Sequence, residues 1–363
     1  MDKIKIGVVG IHRGGTYVKV FHNTGRSEIT AICDLDEAHL EAARQEIGLR
    51  EEQCFTDYDA FVQSDIDVVV IGTPIPFHEE QVIKALEAGK HVFSEVTMAH
   101  TVEGCWNIYE AVKKARAKGI KYMLAENYVY LDFIEKWKKY VDDGRIGNIH
   151  YAEAEYVHNI RKLLIDKSSG ETFWRTYRPP IHYCTHCLGP LLHLIPGDYI
   201  VEATAWSNQN KILPDPELWP STIDMQVAVF ETKEGRILKI LRSQVTPRHN
   251  HIVTYNVYGT KGSLETGRTP GYDTVGWRYF EGSDKRITPM NCNGTRLDAP
   301  LYAKQASTHG TADWYGAQDF LDCILYDREP MLNVERGLEM TLPGLIAQEA
   351  AVQGHVWLDV PHF

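Results

Sequence analysis

Ile4-Lys5-Ile6-Gly7-Val8-Val9-Gly10-Ile11-His12-Arg13-Gly14-Gly15 is a short apolar run that ends in a cluster of glycines. An apolar run without polar alternation reads as a strand covered on both faces, as in a parallel sheet. Glycines after such a strand let the backbone approach a pyrophosphate, and the helix that follows supplies N–H donors and positive potential. The match to G-x-G-x-x-G is partial. Gly10 and Gly15 hold the outer positions and His12 the middle one, while a loop one residue shorter would make Gly14 the close-contact glycine. Asp34 follows at the end of the second predicted strand, 24 residues after Gly10. A carboxylate there accepts hydrogen bonds from the adenosine ribose hydroxyls and repels a 2′-phosphate, which points to NAD rather than NADP. Asp36 is the alternative, with a helix N-cap as its other reading.

The same alternation continues outward. Strands are expected at Ile29 to Cys33, Val68 to Ile71, His91 to Ser94 and Lys121 to Leu124. Between them run helical stripes: Leu40, Ala43 and Ile47 before Gly48; Val82, Ile83 and Leu86 before Gly89; Ile108, Val112 and Ala115 before Gly119. This is the pattern of a doubly wound α/β Rossmann domain, assigned to residues 1–125. From Ile149 the pattern becomes period two, with Ala152, Ala154, Tyr156 and His158 on one face and Glu153 and Glu155 on the other. Met225 to Glu231, Ile237 to Val245 and Ile252 to Tyr258 read as antiparallel neighbours, with a hairpin at Lys233-Glu234-Gly235. Residues 126–363 are therefore expected to form an α+β domain with a large open, mostly antiparallel sheet.

Composition narrows the partners. The 363-residue chain carries a net charge of -11 and no basic stripe, which argues against nucleic acid and anionic membrane. No apolar run approaches the ~18 residues of a membrane span, and no signal-peptide segment precedes the first strand. Seven scattered cysteines suit reduced thiols, so a cytoplasmic location is expected.

Gly72-Thr73-Pro74, His78 and the run Ala85-Leu86-Glu87-Ala88-Gly89-Lys90-His91-Val92-Phe93-Ser94-Glu95 resemble the Gfo/Idh/MocA oxidoreductases, as does Asn333-Val334-Glu335-Arg336-Gly337-Leu338. The resemblance implies a Rossmann domain, a bound nicotinamide cofactor and a sugar or cyclitol substrate lying between the domains. It also implies a homodimer or homotetramer built through the open sheet. Arg13, Thr73, Pro74, His78, Glu95 and Val96 join the glycines and Asp34 as the implied cofactor contacts. The family usually carries Glu-Lys-Pro where this chain has Glu95-Val96-Thr97, and valine moves no proton.

A branch of NAD-dependent α-N-acetylgalactosaminidases also replaces that lysine by valine. Glu126-Asn127-Tyr128-Val129-Tyr130, Tyr156-Val157-His158-Asn159-Ile160-Arg161, Trp174-Arg175, Tyr183-Cys184-Thr185-His186-Cys187-Leu188-Gly189-Pro190, Pro247-Arg248 and His309-Gly310 with Asp313 are similar to that branch. Thr97, Cys184 and Cys187 depart from it and suggest an altered substrate. On this reading Asn127 contacts the cofactor. Tyr130, Arg161, Trp174, Arg175, His182, Arg248 and His309 contact substrate. Tyr156, His158, Tyr183 and His186 form the catalytic acid–base set, with Tyr183 and His186 facing the nicotinamide.

The implied chemistry is oxidation of a ring hydroxyl, at C3, followed by elimination at the anomeric carbon. The alternatives are a simple sugar or cyclitol dehydrogenase and a non-catalytic regulator that senses NAD or a ligand. No metal is expected, because Cys184-x-x-Cys187 lacks a second cysteine pair. Nor does that pair suggest a thioredoxin-like site, since the sequence is not seen to open a helix in a βα context. His249-x-His251 reads as sheet surface rather than as a ligand pair.

Overall fold

The computed structural model describes residues 3–22, 24–165, 169, 171–209, 223–248, 253–268, 275–307 and 309–363. The chain divides into two compact units, Met1–Tyr130 with Thr295–Leu338, and Leu131–Gly294 with Glu339–Phe363. A boundary at 125/126 would leave 295–338 with the second unit. Their backbone packs instead with the first, where the buried Asp313 and Phe320 have their partners.

In the first unit β1 (Ile4–Val9), β2 (Ser27–Cys33), β3 (Cys54–Phe55), β4 (Val68–Ile71), β5 (His91–Ser94) and β6 (Tyr122–Leu124) alternate with helices. The helices are α1 (Ile11–His22), α2 (Glu37–Ile47), α3 (Tyr58–Val62), α4 (His78–Glu87) and α5 (Val102–Arg116). The sheet is wholly parallel, in the order β3-β2-β1-β4-β5-β6. That order reverses direction between β1 and β4, the switch point at which a doubly wound sheet binds its ligand. The predicted glycine stops hold: Gly48, Gly89 and Gly119 all have φ between 74 and 79°. Strand β3 has only two residues, too few for a period to show in sequence.

The second unit begins with α6 (Asp132–Asp142), β7 (Ile149–Val157) and α7 (Thr185–Leu194). Seven further strands follow: β8 (Ile200–Gln209), β9 (Ile223–Thr232), β10 (Ile237–Ser243), β11 (Val253–Gly259), β12 (Gly262–Thr266), β13 (Val275–Phe280) and β14 (Thr288–Asn291). Helices α8 (Leu301–Gln305) and α9 (Ala312–Leu325) belong to the first unit, and α10 (Val334–Val352) and β15 (Leu358–Asp359) close the chain. The nine-stranded sheet runs β14-β13-β12-β11-β7-β10-β9-β8-β15.

The expected hairpin joins β9 to β10, with Gly235 at φ 76°. The third expected strand behaves differently. β11 does not neighbour β10, because β7 lies between them, antiparallel to β11 and parallel to β10. Residue 252, read as the start of that strand, and the His249/His251 pair lie outside the described residues. Among the described residues no helix is long and apolar enough to cross a membrane.

Three glycines fix the start of the first unit. Gly10 has φ 80°, and a Cβ on it would meet Thr73 N at 2.5 Å. A Cβ on Gly72 would stand 2.7 Å from Gly14 N, and one on Gly14 would stand 2.7 Å from Val8 Cγ1. The ends of β1 and β4 and the first turn of α1 therefore touch backbone to backbone, and neither neighbour of Gly72 is a flexible side chain. Gly72→Ala is expected to destabilise the protein by about 2 kcal/mol and to weaken NAD binding. Unfolding at the wild-type Tm would contradict this close contact.

Candidate active site

Helix α1 starts at Ile11, directly after Gly10, so the loop is the shortened form. Gly14 is the glycine that packs helix on strand, whereas nothing lies within 4 Å of a Cβ placed on Gly15. Gly15 thus leaves its surroundings open to a ligand. Asp34 accepts Ile11 N–H at 2.6 Å on Oδ2 and Asp36 N–H at 2.9 Å on Oδ1. Each oxygen keeps a lone pair for a ribose hydroxyl. Asp36 is the N-cap of α2, accepting from Ala38 N and His39 N. No acidic residue of α1 itself stands in its first turn, so the one carboxylate at that positive end is Asp34, which takes the Ile11 N–H. The glycine contacts and the anchored Asp34 at the start of α1 fit a dinucleotide.

Thr73 and Pro74 follow β4. The buried His78 sets Nε2 2.9 Å from Thr73 O and Nδ1 2.8 Å from Thr97 O. Burial lowers its pKa, which keeps it a structural brace for the segments on either side. Glu95 and Val96 are buried. Glu95 Oε1 accepts from Tyr17 OH at 2.7 Å and pairs with Arg13 Nη2 at 2.6 Å, and Oε2 accepts Val96 N–H at 3.1 Å.

Arg13 also reaches Asp313 Oδ1 at 3.4 Å, and Asn127 Nδ2 donates to the same oxygen at 2.8 Å. His309 Nδ1 lies 3.1 Å from Asp313 Oδ2, which Ser307 Oγ also approaches. Four predicted residues, Arg13, Glu95, Asn127 and His309, are thus tied into one network whose hub, Asp313, had been given no role. Tyr130 belongs to a different tie: it is buried, and its hydroxyl donates to Asp319 of α9. His12 is exposed and stands edge-on to His39, ring centroids 5.9 Å apart.

Burial pushes the Asp313 carboxyl up, but the hydrogen bond from His309 and the charge of Arg13 more than offset it and hold it well below the usual carboxylate range. A depressed folded pKa contributes stability that is present above the unfolded value, about 4, and is lost as pH falls toward the folded value. Asp313→Asn is therefore expected to cost about 3 kcal/mol at neutral pH. It should also make the acid loss of stability below about pH 4 shallower. Parallel acid-unfolding curves for the variant and the wild type would refute the linkage.

In the second unit the pairing of β7 with β10 sets Tyr156 beside Arg242 on the inward face of the sheet. Tyr156 OH lies 2.9 Å from His158 Nδ1. Ala152 and Ala154, on the same face, are small and buried beneath α7. Tyr183 precedes that helix and His186 lies in its first turn, with Tyr183 OH 3.3 Å from His186 Nε2. Ring centroids separate Tyr156 from His186 by 5.4 Å and from Tyr183 by 6.2 Å. Tyr255 of β11 donates its hydroxyl to His186 O and steadies the first turn of α7. The four residues expected to do acid–base work therefore stand together.

Around them lie Trp174 and Arg175, the guanidinium 4.5 Å from the indole centroid, and the half-buried His182. Arg161 is exposed on the turn Arg161–Leu163. Arg248 is elsewhere: it pairs with Glu155 at 2.7 Å, and Glu155 points to the sheet face opposite Tyr156. Cys184-x-x-Cys187 does open a helix, contrary to the sequence reading, although a short 3-10 turn rather than a strand precedes it. Both thiols are buried, and a Cβ on Gly344 of α10 would meet Cys184 Sγ at 2.6 Å. Among the described residues no group of three or more His, Cys, Asp or Glu is placed to hold a metal ion.

Two buried arginines were missed. Arg242 shares the inward parity of Leu238 and Ile240, and a charge on the core parity of an amphipathic strand is a readable signal. Arg178, in Tyr177-Arg178-Pro179, carries no such signal.

The fold and the glycine–carboxylate site of the first unit define an NAD-binding oxidoreductase. The chain matches the family model described as "Oxidoreductase family, NAD-binding Rossmann fold" over residues 4–122, and its C-terminal alpha/beta domain over residues 138–360. It belongs to the Gfo/Idh/MocA oxidoreductase family.

A glycosyl hydrolase family 109 protein of Shewanella pealeana is 30% identical over 100% of this chain and 86% of its own length. A protein of the same name from Shewanella sp. (strain W3-18-1) is 29% identical, over 68% of this chain and 60% of its own length. Among solved structures, an oxidoreductase domain protein from Kribbella flavida superposes with a TM-score of 0.83 at 21% identity, covering 100% of both chains. Levoglucosan dehydrogenase in complex with NADH and levoglucosan gives 0.82 at 20% identity, covering 99% of this chain and 100% of that one.

Proposed function

We propose that the protein is an NAD-dependent enzyme that oxidises a ring hydroxyl, at C3, of a sugar or glycoside and couples that step to redox-neutral elimination of the anomeric substituent. The observation that carries this reading is the joint placement of Tyr156, His158, Tyr183 and His186 in a chain whose Val96 can transfer no proton. The relatives named glycosyl hydrolase family 109 support a glycosidic substrate.

Gly10, Gly14, Gly15, His12, Arg13 and Asp34 would hold the pyrophosphate and adenosine side of NAD. Thr73, Pro74, His78, Glu95, Val96 and Asn127 would shape the side toward the nicotinamide. Bound NAD supplies the reversible two-electron exchange at C3 that opens and closes such a cycle. The chain's own residues move the protons. His186 or Tyr183 takes the proton of the C3 hydroxyl. A carbonyl at C3 acidifies the C2–H bond, and Tyr156 or His158 takes that proton. Its electron pair forms the C1–C2 double bond as the C1 substituent departs. Water then adds its hydroxyl at C1 while its proton goes to the departed oxygen, and the base, after exchange with solvent, returns a proton to C2.

Trp174, Arg175, His182, Arg161 and His309 are the side chains proposed to hold substrate oxygens. Tyr130 and Arg248 fall out of that set, because both are committed to carboxylates. On the same reading copies of the chain associate as a homodimer or homotetramer through the outward face of the large sheet, where Met225, Val227 and Val229 are half-exposed.

Incubating the purified protein with a panel of glycosides in deuterated water tests the proposal. Free sugar carrying deuterium at C2, formed without added NAD, is the expected result. Stoichiometric NADH with no deuterium would replace elimination by simple dehydrogenation. Tyr183→Phe and His186→Asn are expected to lower kcat about 10²–10⁴-fold while leaving NAD affinity unchanged. Undiminished turnover in both variants would move the catalytic base elsewhere.

A further inference from the structure

Arg242 and Arg178 are both buried, at 1% and 3% exposure, and neither is ion-paired to a carboxylate among the described residues. Arg242 is held by carbonyls: Nε donates to Tyr183 O at 3.0 Å, and Nη1 to Tyr156 O at 3.0 Å and Ser243 O at 2.8 Å. Its guanidinium carbon lies 4.1 Å from the Tyr156 ring centroid and 5.5 Å from that of Tyr183. Arg178 lies 4.6 Å from the Tyr183 centroid, and its Nε and Nη1 have no hydrogen-bond partner.

A buried cation without an anion is unfavourable, because desolvation is not compensated. Burial, then the charge of Arg242, lowers the Arg178 pKa to about 9. Burial likewise lowers that of Arg242. The carboxylates on β7, Glu153 and Glu155, stand on the opposite sheet face with Lys239, Arg248 and Arg268. Asp224, on the inward parity of β9, bears on Arg161. The groups around the two guanidiniums are Tyr156 from β7, Tyr183, Cys184 and Cys187 from the loop and α7, and Trp174 and Arg175. Tyr183 is the phenol that lies under both cations.

We propose that Arg242 and Arg178 prepare Tyr183 to act as a tyrosinate base, so that both arginines are positioning residues for proton abstraction. This rests on the reading of the acid–base cluster given above. An opposite charge within a few ångströms favours the ionised form of a phenol, and in a buried setting that preference is screened little. The phenolate oxygen accepts the proton of the substrate hydroxyl and becomes a phenol. The imidazole of His186, its Nε2 at 3.3 Å, accepts that proton in turn and restores the phenolate.

The test needs no substrate. Titrating the tyrosinate absorbance of the purified protein should reveal one tyrosine ionising at least one pH unit below the ordinary value of about 10. The buried Tyr17, Tyr58 and Tyr122 are all held high and leave that window clear. The signal should vanish in Tyr183→Phe. It should move up by a unit or more in Arg178→Met and Arg242→Met, and largely return in Arg242→Lys. Should Arg242→Met fail to fold, Arg178→Met and Arg242→Lys still decide the matter. A wild-type midpoint at 10 or above, or one unmoved by loss of either arginine, overturns the proposal. Because the readout is the phenol itself, a negative glycoside panel with a positive titration rejects the substrate reading alone. A positive panel with a normal titration rejects only the role of the arginines.

Discussion

The parallel register between β7 and β10 is the constraint on which the second unit depends. Every other pairing in the large sheet is antiparallel among the described residues. In this one, Arg242 falls directly beside Tyr156, and Leu238 and Ile240 beside Ala152 and Ala154. A slip of one residue in β10 would turn the guanidinium to the outward face among Lys239, Arg248 and Arg268, and the same slip in β7 would instead turn its carboxylates inward. The small alanines on the same face let α7 sit low over the sheet, so that His186 comes to the rings of Tyr156 and Tyr183. Side-chain chemistry and helix height are thus set by a single hydrogen-bonded ladder.

The two units solve the problem of buried charge in opposite ways. In the first, two buried carboxylates, Glu95 and Asp313, share Arg13 and take their remaining donors from Tyr17, Asn127, Ser307 and His309. Both carboxylates are thereby satisfied, while the buried Asn127 Oδ1 keeps no hydrogen-bond partner. In the second, two buried guanidiniums lie against aromatic faces and backbone carbonyls. That arrangement leaves positive potential available to whatever anion arises beside it.

Much of the first unit was legible in the sequence, because parallel strands and their glycine stops carry strong local signals. Strand β3, two residues long, left no trace, and the short α3 and the returning α8 and α9 were not read either. The detail of the glycine loop was less legible. Whether Gly14 or Gly15 packs on β1 depends on where α1 begins, and the hydrogen bond from Ile11 to Asp34 sets that start across 23 residues of chain. In the second unit, alternation gave the inward set of β7 correctly, and the pairing of Tyr156 with His158 followed from it. Sheet order did not, because alternation is blind to which strands are neighbours. The carboxylate partners of Arg248 and Tyr130 were illegible for a related reason: a motif carries residue type but not the partner that a side chain finds. Asp313 is the converse case, a residue whose weight appears only once Asn127, Ser307 and Arg13 converge on it.

The contact between Gly344 and the start of α7 has a consequence for how the family can diversify here. Cys184 Sγ and Ile181 O both press on the hydrogen that stands where a side chain would begin. Position 344 therefore has no room to absorb change, and any bulkier residue at 184 must displace a whole helix or lift the loop that carries Tyr183. Sequences that vary at 184 would be expected to vary in the backbone path of 179–184 as well, rather than by simple exchange of one side chain for another.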